Sequence, residues 1–217
     1  MVVKLCVEPR PRTMEHAAVI VPRRQRDAFT LVELLVVIAI IAVLMGLAFP
    51  VFQNVQNSAK KTQAKNDLVQ VVTAVNAFYT EYGKYPLPSG AAGDAVTYGG
   101  GGPGSRELFD SLRGIDRISN PRQLQFINPP DAKDSTTPRA GIGPVDGQFY
   151  DPWGTPYSIR IDADYSGEVP NPYGANAGAT PNLRQGVIAW SSGRDRATQS
   201  GGDKNTNPNK DDVISWQ

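Results

Sequence analysis

The chain has 217 residues, 22 Lys and Arg against 21 Asp and Glu, and a net charge of +1, enough for one membrane helix and one modest soluble domain and too balanced to point to a polyanionic partner. Its only cysteine, Cys6, and only histidine, His16, lie before residue 28. A chain matured beyond them has no Cys or Ser/His nucleophile, no ordinary Cys/His zinc site and no disulfide, so an enzyme, left with carboxylates, Lys or Tyr, is the least favoured class.

Residues 1–28 have no usable periodicity and read as a basic leader removed on maturation, with a second start codon available at Met14. Six basic residues (Lys4, Arg10, Arg12, Arg23, Arg24, Arg26) and three acidic ones (Glu8, Glu15, Asp27) precede Phe29, leaving 16 and 18 in the rest. The cluster 23–26 should therefore hold the N-terminal side in the cytoplasm and send the rest across the membrane.

Residues 29–52 read as a transmembrane helix. Leu34 to Phe49 is a run of sixteen uncharged residues, and a helix from Leu31 to Phe52 would be about 33 Å long, enough for a hydrocarbon core of about 30 Å. Glu33 stands at the threshold of this run. A carboxylate there costs about 2.5–3.5 kcal/mol, so it asks for a partner; the plainer alternative is a snorkelling acid stabilised by the helix dipole. An ordinary secretory signal cut after Ala48, with Gly46 and Ala48 as its small residues, would explain neither Glu33 nor the amphipathic continuation of the helix.

That continuation covers residues 53–82, with Val55, Leu68, Val71, Val72, Val75, Phe78, Tyr79 and Tyr82 at three- and four-residue steps. Pro50 predicts a bend or local melt between the halves. Lys60, Lys61 and Lys65 read as a solvated face, the usual meaning of such a run, with salt bridges to neighbouring chains or contact with lipid headgroups as the alternatives. Gly83 is placed as the C-terminal cap, with Pro86 beyond it.

The remainder, 83–217, is expected to form an α+β head carrying a long loop over 87–148. "LPSGAAGDAVTYGGGGPG" reads as an exposed connection. Ser105 can cap a short helix "RELFDSL", and Pro121 can open a turn. "GQFYD", "TPYSIRID", "GVIAWSS" and "DVISW" read as strands of a small antiparallel sheet whose apolar face covers the Leu68–Tyr82 stripe. "DADYSGE" mimics the start of a calcium loop through Asp162, Asp164 and Ser166 before Gly167; the twelfth position holds Tyr173 rather than glutamate, and a β-turn is preferred. Nothing resembles a nucleic-acid patch with interleaved aromatics.

"AFTLVELLVVIAIIAVL" resembles the N-terminal signature of type IV pilins and of the pseudopilins of type II secretion. The resemblance implies cleavage between Ala28 and Phe29 by a prepilin peptidase and N-methylation of Phe29. Ala28 departs from the family's usual glycine at that place. Glu33 and Pro50 fall on the family's glutamate and helix proline. The physics agrees with the transfer: the new amine on Phe29 and the Glu33 carboxylate of an adjoining copy would each be costly alone in a low-dielectric bundle, and a staggered pair offsets that cost and sets register.

"FYTEYGKYP", "DPWGTPY" and "SSGRD…DDVISW" resemble, more specifically, the major pseudopilin of type II secretion. In "DPWGTPY", Pro152, Gly154 and Pro156 should force a rigid turn presenting Trp153, with packing rather than binding as the preferred role. In that family the C-terminal loop holds calcium, and the resemblance carries this to Asp195, Asp211, Asp212 and Ser192; hard oxygen donors suit Ca²⁺, which would be the only cofactor.

The resulting expectation is a single-pass inner-membrane subunit with a cytoplasmic N-terminus and a periplasmic head. It would polymerise with itself and other pilin-like subunits through an inner-membrane assembly platform into a pseudopilus or pilus-like filament. The alternative is a tethered, non-polymerising module that binds a glycan, an exported protein or DNA.

Overall fold

A computed structural model describes residues 29–91, 93–99 and 104–217, with side chains described for all of these except 47–51. The predicted leader 1–28, including the Ala28 side of the cleavage site, lies outside the described residues, as does the Pro50 side chain. The described residues divide into two units, one up to Leu47 and one from Ala48 to Gln217. One helix, α1, is assigned over Leu31–Tyr82, and its helical backbone runs through Pro50 without the predicted melt.

In the first unit the helix has no buried face. Every large apolar side chain from Phe29 to Met45 is between 46% and 79% exposed. A helix that is apolar on all sides needs a non-aqueous or protein environment around it. Among the described residues no helix is long and apolar enough to cross a membrane. The predicted span 29–52 includes positions 47–51 and so lies partly outside the described side chains.

In the second unit α1 is one-sided. Ala64, Leu68, Val71, Ala74, Val75 and Phe78 are at most 1% exposed, and their steps of three and four residues mark one stripe. Val55, at 60% exposed, and Tyr79, at 39%, fall outside it, contrary to the sequence reading, whereas Ala64 and Ala74 belong to it. Two alanines give no amphipathic signal of their own, yet both are buried in the core beneath the sheet. Gly83 ends the helix as expected, with φ +67° and its N–H donating to the Tyr79 carbonyl at 2.8 Å.

A four-stranded antiparallel sheet faces this stripe. Its strands are β1 (Ala95–Tyr98), β4 (Ser158–Asp162), β7 (Val187–Ser191) and β8 (Val213–Ile214), in the order β1-β4-β7-β8. β1 corrects the reading of 87–104 as a connection. Its four residues are flanked by glycines, but pairing with β4 from Ala95↔Asp162 to Tyr98↔Ile159 makes it an edge strand and buries Tyr98.

Two small hairpin-like pairs complete the head, β2 (Gly141–Ile142) with β3 (Phe149–Tyr150) and β5 (Val169–Pro170) with β6 (Asn182–Leu183). Helix α2 (Arg106–Leu112) forms where predicted, but the Ser105 hydroxyl makes no capping bond. The supposed long loop 87–148 thus contains β1, α2 and β2.

The sheet is covered on both faces. Ile159, Ile161, Val187 and Ala189 join the α1 stripe, Tyr98, Leu108, Phe109, Leu112, Phe149 and Trp153 in one core. Ile188, Trp190 and Ile214 alternate to the other side and pack with Val169, Tyr173, Ala177 and Leu183. The sequence predicts a single apolar face; the continuous burial of β7 shows why "VIAWS" is apolar throughout.

Polar anchors fix helix to sheet. The Tyr157 hydroxyl, just before β4, donates to Asp67 of α1 at 2.8 Å, and burial pushes the Asp67 carboxyl up. Lys65, rather than lying on a solvated face, donates to the carbonyls of Ile214, at 2.7 Å, and Gln217, so it holds the C-terminal segment on the helix.

The "DPWGTPY" turn is organised by Asp151, which is fully buried. Its Oδ1 accepts the N–H groups of Trp153, Gly154 and Thr155 at 2.8–2.9 Å, and its Oδ2 accepts the Ser191 hydroxyl at 2.6 Å. Trp153 is 5% exposed and packs in the core; the turn buries it rather than presenting it. Gly154, at φ +94°, supplies the left-handed step that closes the turn.

Asp151→Ala should leave three backbone donors and Ser191 without their acceptor and cost about 3 kcal/mol, while Asp151→Asn, which keeps one acceptor and can still contact Ser191, should cost about 1 kcal/mol. Urea unfolding of the detergent-solubilised chain measures both; equal losses would contradict the acceptor role.

Candidate functional site

Two places in the chain carry chemistry that the fold does not use up. The first is the start of α1. Glu33 Oε2 accepts the Thr30 backbone N–H at 2.8 Å and the Thr30 hydroxyl at 2.7 Å, while the Glu33 N–H donates to Thr30 Oγ1 at 3.2 Å. This is a reciprocal capping box, Thr-x-x-Glu, which satisfies two of the backbone donors that every helix start leaves free.

The sequence favours a partner for Glu33 on an adjoining chain, with its own helix dipole as the plainer alternative; the structure adds a cap within the chain. The signal is present in "TLVE", an acid three residues after threonine and ahead of an apolar run. Capping does not discharge the carboxylate, however. Phe29, Thr30 and Glu33 are all exposed, so the negative charge and the residue that would carry the new amine stand together at the head of an apolar helix.

The second place is the C-terminal loop. Carboxylate oxygens of Asp195, Asp211 and Asp212 lie within 4.8 Å of one another. Gly193 makes this possible: it sits at φ +64°, and a Cβ there would fall 2.5 Å from the Asp211 carbonyl oxygen. Asp211 Oδ2 then accepts the N–H groups of Arg194, at 2.5 Å, and Asp195, at 3.0 Å. The loop is tied back to the "DPWGTPY" turn, since Ser191 donates to Asp151 and accepts the Gly193 N–H at 3.1 Å.

Asp212 is 6% exposed. Its Oδ2 accepts the Tyr173 hydroxyl at 2.7 Å and lies 3.0 Å from the Thr198 hydroxyl, whereas its buried Oδ1 has no protein partner. Burial pushes the Asp212 carboxyl up to about 6. Ser192 does not join the carboxylates directly; its hydroxyl meets Thr198 at 3.0 Å, one step away from Asp212. Tyr173 and Thr198 escape sequence reasoning because neither neighbours the acids along the chain.

Among the described residues no Lys or Arg pairs with any of the three acids, despite the basic residues of "RATQSGGDKNTNPNK"; the ion pairs that do form join Arg106, Arg113, Arg122 and Arg184 to other carboxylates. Three clustered carboxylates without a direct ion pair, one of them with an orphaned buried oxygen, offer the hard oxygen donors that suit a divalent cation, with Lys204 acting on Asp212 only at longer range.

Thr30→Ala should weaken the helix start by about 1 kcal/mol. Hydrogen exchange of the first-turn amides in micelles would then quicken about fivefold, whereas Glu33→Gln, whose amide can also close a capping box, should leave them nearly unchanged.

One comparison with known proteins falls on the first of these places. Residues 23–49 match the family model for the prokaryotic N-terminal methylation motif. The chain is 35% identical over 78 residues to fimbrial protein EcpC of Eikenella corrodens, covering 36% of this chain and 51% of that one. It is 40% identical over 57 residues to the type IV major pilin protein PilA of Myxococcus xanthus, covering 26% of each. It is also 34% identical over 64 residues to the type II secretion system core protein G of Pseudomonas aeruginosa, covering 30% of this chain and 45% of that one. The similarity spans about half or less of each of these relatives, and no solved structure matches the chain. The chain thus carries the prokaryotic N-terminal methylation motif at the head of the exposed apolar helix that Thr30 and Glu33 open, and over part of its length it is similar to type IV pilins and to a type II secretion system core protein.

Proposed function

We propose that this protein is a structural subunit, cut between Ala28 and Phe29, N-methylated on Phe29, held in the inner membrane by residues 29–52 and polymerised into a type II secretion pseudopilus or pilus-like filament. The observation that carries the reading is the helix from Leu31 to Met45, exposed and apolar on every side. In a monomer such a helix is stable only in lipid; in a filament, neighbouring copies replace the lipid.

Glu33 then has two successive roles. In the stored subunit it caps its own helix through Thr30. In the filament its charge meets the Phe29 amine of an adjoining copy, a pairing that offsets the burial cost of both ions and fixes the axial stagger. Prepilin peptidase and the assembly platform are the partners this cycle requires.

Glu33→Gln separates the roles, because glutamine retains the cap and removes the charge. Filaments sheared from cells and subunit cross-links between N-terminal helices should be lost in Glu33→Gln while the subunit remains in the membrane. Wild-type levels of both would leave a tethered binding module as the reading. Mass spectrometry of the mature N-terminus should show methylated Phe29; a chain beginning at Phe49 would overturn the processing scheme.

The C-terminal loop is proposed to hold Ca²⁺ through Asp195, Asp211 and Asp212, with Ser192 supporting the cluster through Thr198. The ion would neutralise the buried charge of Asp212 and brace a head that has no disulfide. At 100 times its dissociation constant calcium should stabilise the chain by about 2.7 kcal/mol, a rise of about 5–10 °C in Tm that EDTA reverses. Asp212→Asn should lose most of this response and melt higher than wild type in EDTA, since it removes an unpaired buried charge. An undiminished calcium response in Asp212→Asn would refute the assignment.

A further inference from the structure

The turn between β4 and β5, Asp162–Glu168, contains a second carboxylate that the fold buries without satisfying. Asp162 ends β4 and is 1% exposed. Its Oδ2 accepts the Gly167 N–H at 2.7 Å; its Oδ1 is buried and has no partner. The carboxylate is therefore folded over its own turn, with one oxygen used and the other idle.

Nothing nearby neutralises it. Side chains alternate along a strand, so the cation two residues away on the same face is Arg160. That guanidinium is committed elsewhere: it donates to Thr97 Oγ1 at 2.8 Å and to the Pro170 carbonyl at 2.7 Å, and it lies over the Trp190 ring. Among the described residues no Lys or Arg forms an ion pair with Asp162 or Asp164. Asp164 Oδ1 instead accepts the Ser166 N–H at 3.0 Å, within the same turn.

The remaining donors are hard oxygens in register. Calcium loops draw ligands from positions 1, 3 and 5 and from the carbonyl of position 7, with glycine at 6 for the sharp turn. Taking Asp162 as position 1, these are Asp162, Asp164, Ser166 and the Glu168 carbonyl. Gly167 occupies the sixth place at φ +80°. The Ser166 hydroxyl already lies 3.4 Å from the Glu168 carbonyl oxygen. The β-turn preferred from sequence rests on the absent glutamate at the twelfth position, and Tyr173, which stands there, is indeed turned away to Asp212. The absence lowers affinity; it does not remove the first four ligands.

We propose that Asp162, Asp164, Ser166 and the Glu168 carbonyl form a second calcium site, separate from the C-terminal loop, with water completing the shell. With two carboxylates and no bidentate acid it belongs to the weak class, with a dissociation constant of about 10⁻⁴–10⁻³ M. Its occupation would order the turn that carries Tyr165, whose ring stacks on Tyr85 at 5.5 Å and whose hydroxyl accepts the Tyr85 N–H at 3.3 Å, just beyond the end of α1.

Terbium luminescence excited through tyrosine tests the site in the full-length, detergent-solubilised chain, because Tyr165 lies within the turn. The Asp211→Asn variant, whose amide still accepts the Arg194 and Asp195 N–H groups, disables the C-terminal loop. In that background we expect saturable luminescence, displaced by calcium, that falls at least tenfold on adding Asp164→Asn and several-fold on adding Ser166→Ala. Asp164 and Ser166 are exposed, and unchanged circular dichroism checks that these variants fold. No calcium-displaceable signal in Asp211→Asn, or an equal signal after Asp164→Asn, overturns the proposal and leaves the C-terminal assignment standing. A signal lost in Asp164→Asn but unaffected by Asp211→Asn supports this site and removes the other.

Discussion

The head closes on one stripe of α1. Ala64, Leu68, Val71, Ala74, Val75 and Phe78 meet the inner face of the sheet, α2 and the Trp153 turn in one core, and each fully buried Leu, Val or Phe side chain contributes about 1.5–3 kcal/mol against exposure. The sheet is only four strands wide, with β8 two residues long. Such a sheet is stable here because the helix covers one face and the β5–β6 segment covers the other. Lys65 and Asp67 on α1 add directional contacts to this area, one to the C-terminal carbonyls and one to Tyr157. The helix therefore sets the position of the C-terminal loop as well as the core.

Four buried or half-buried acids show how a head without disulfides fixes its loops. Asp151 is surrounded by donors and nucleates a turn; Asp67 has one strong partner in Tyr157. Asp212 and Asp162 each have one oxygen satisfied and one idle. Burying a carboxylate without complete compensation costs several kcal/mol, and what remains uncompensated has to be met by a proton or a cation. The two satisfied acids thus read as structural, and the two incomplete ones are where the proposed ions would bind.

The start of α1 obeys different physics. Thr30 and Glu33 close the helix locally, so the subunit has a defined first turn before it meets any neighbour. The same carboxylate stands exposed at the edge of an apolar surface. The local cap and the proposed intermolecular ion pair are compatible because they use different properties of one side chain, its acceptor geometry and its charge.

The sequence by itself determined the elements whose signal is local. A run of apolar residues after a basic cluster, the three- and four-residue steps from Leu68 to Phe78, the cap at Gly83, helix α2 and the strands β4, β7 and β8 are all legible because periodicity and punctuation report directly on backbone conformation. The family motif around Phe29 and Glu33 is legible for the same reason. Only tertiary structure decided the rest. Strand β1 lies hidden among glycines until β4 pairs with it; Ala64 and Ala74 join the core because the fold covers them, not because of their hydropathy; Trp153 is buried because Asp151 gathers the turn beneath it. The acids behave likewise, since whether Asp151, Asp162 or Asp212 is satisfied depends on Ser191, Gly167 and Tyr173, and the distance along the chain says nothing about which donor a fold brings to a buried oxygen.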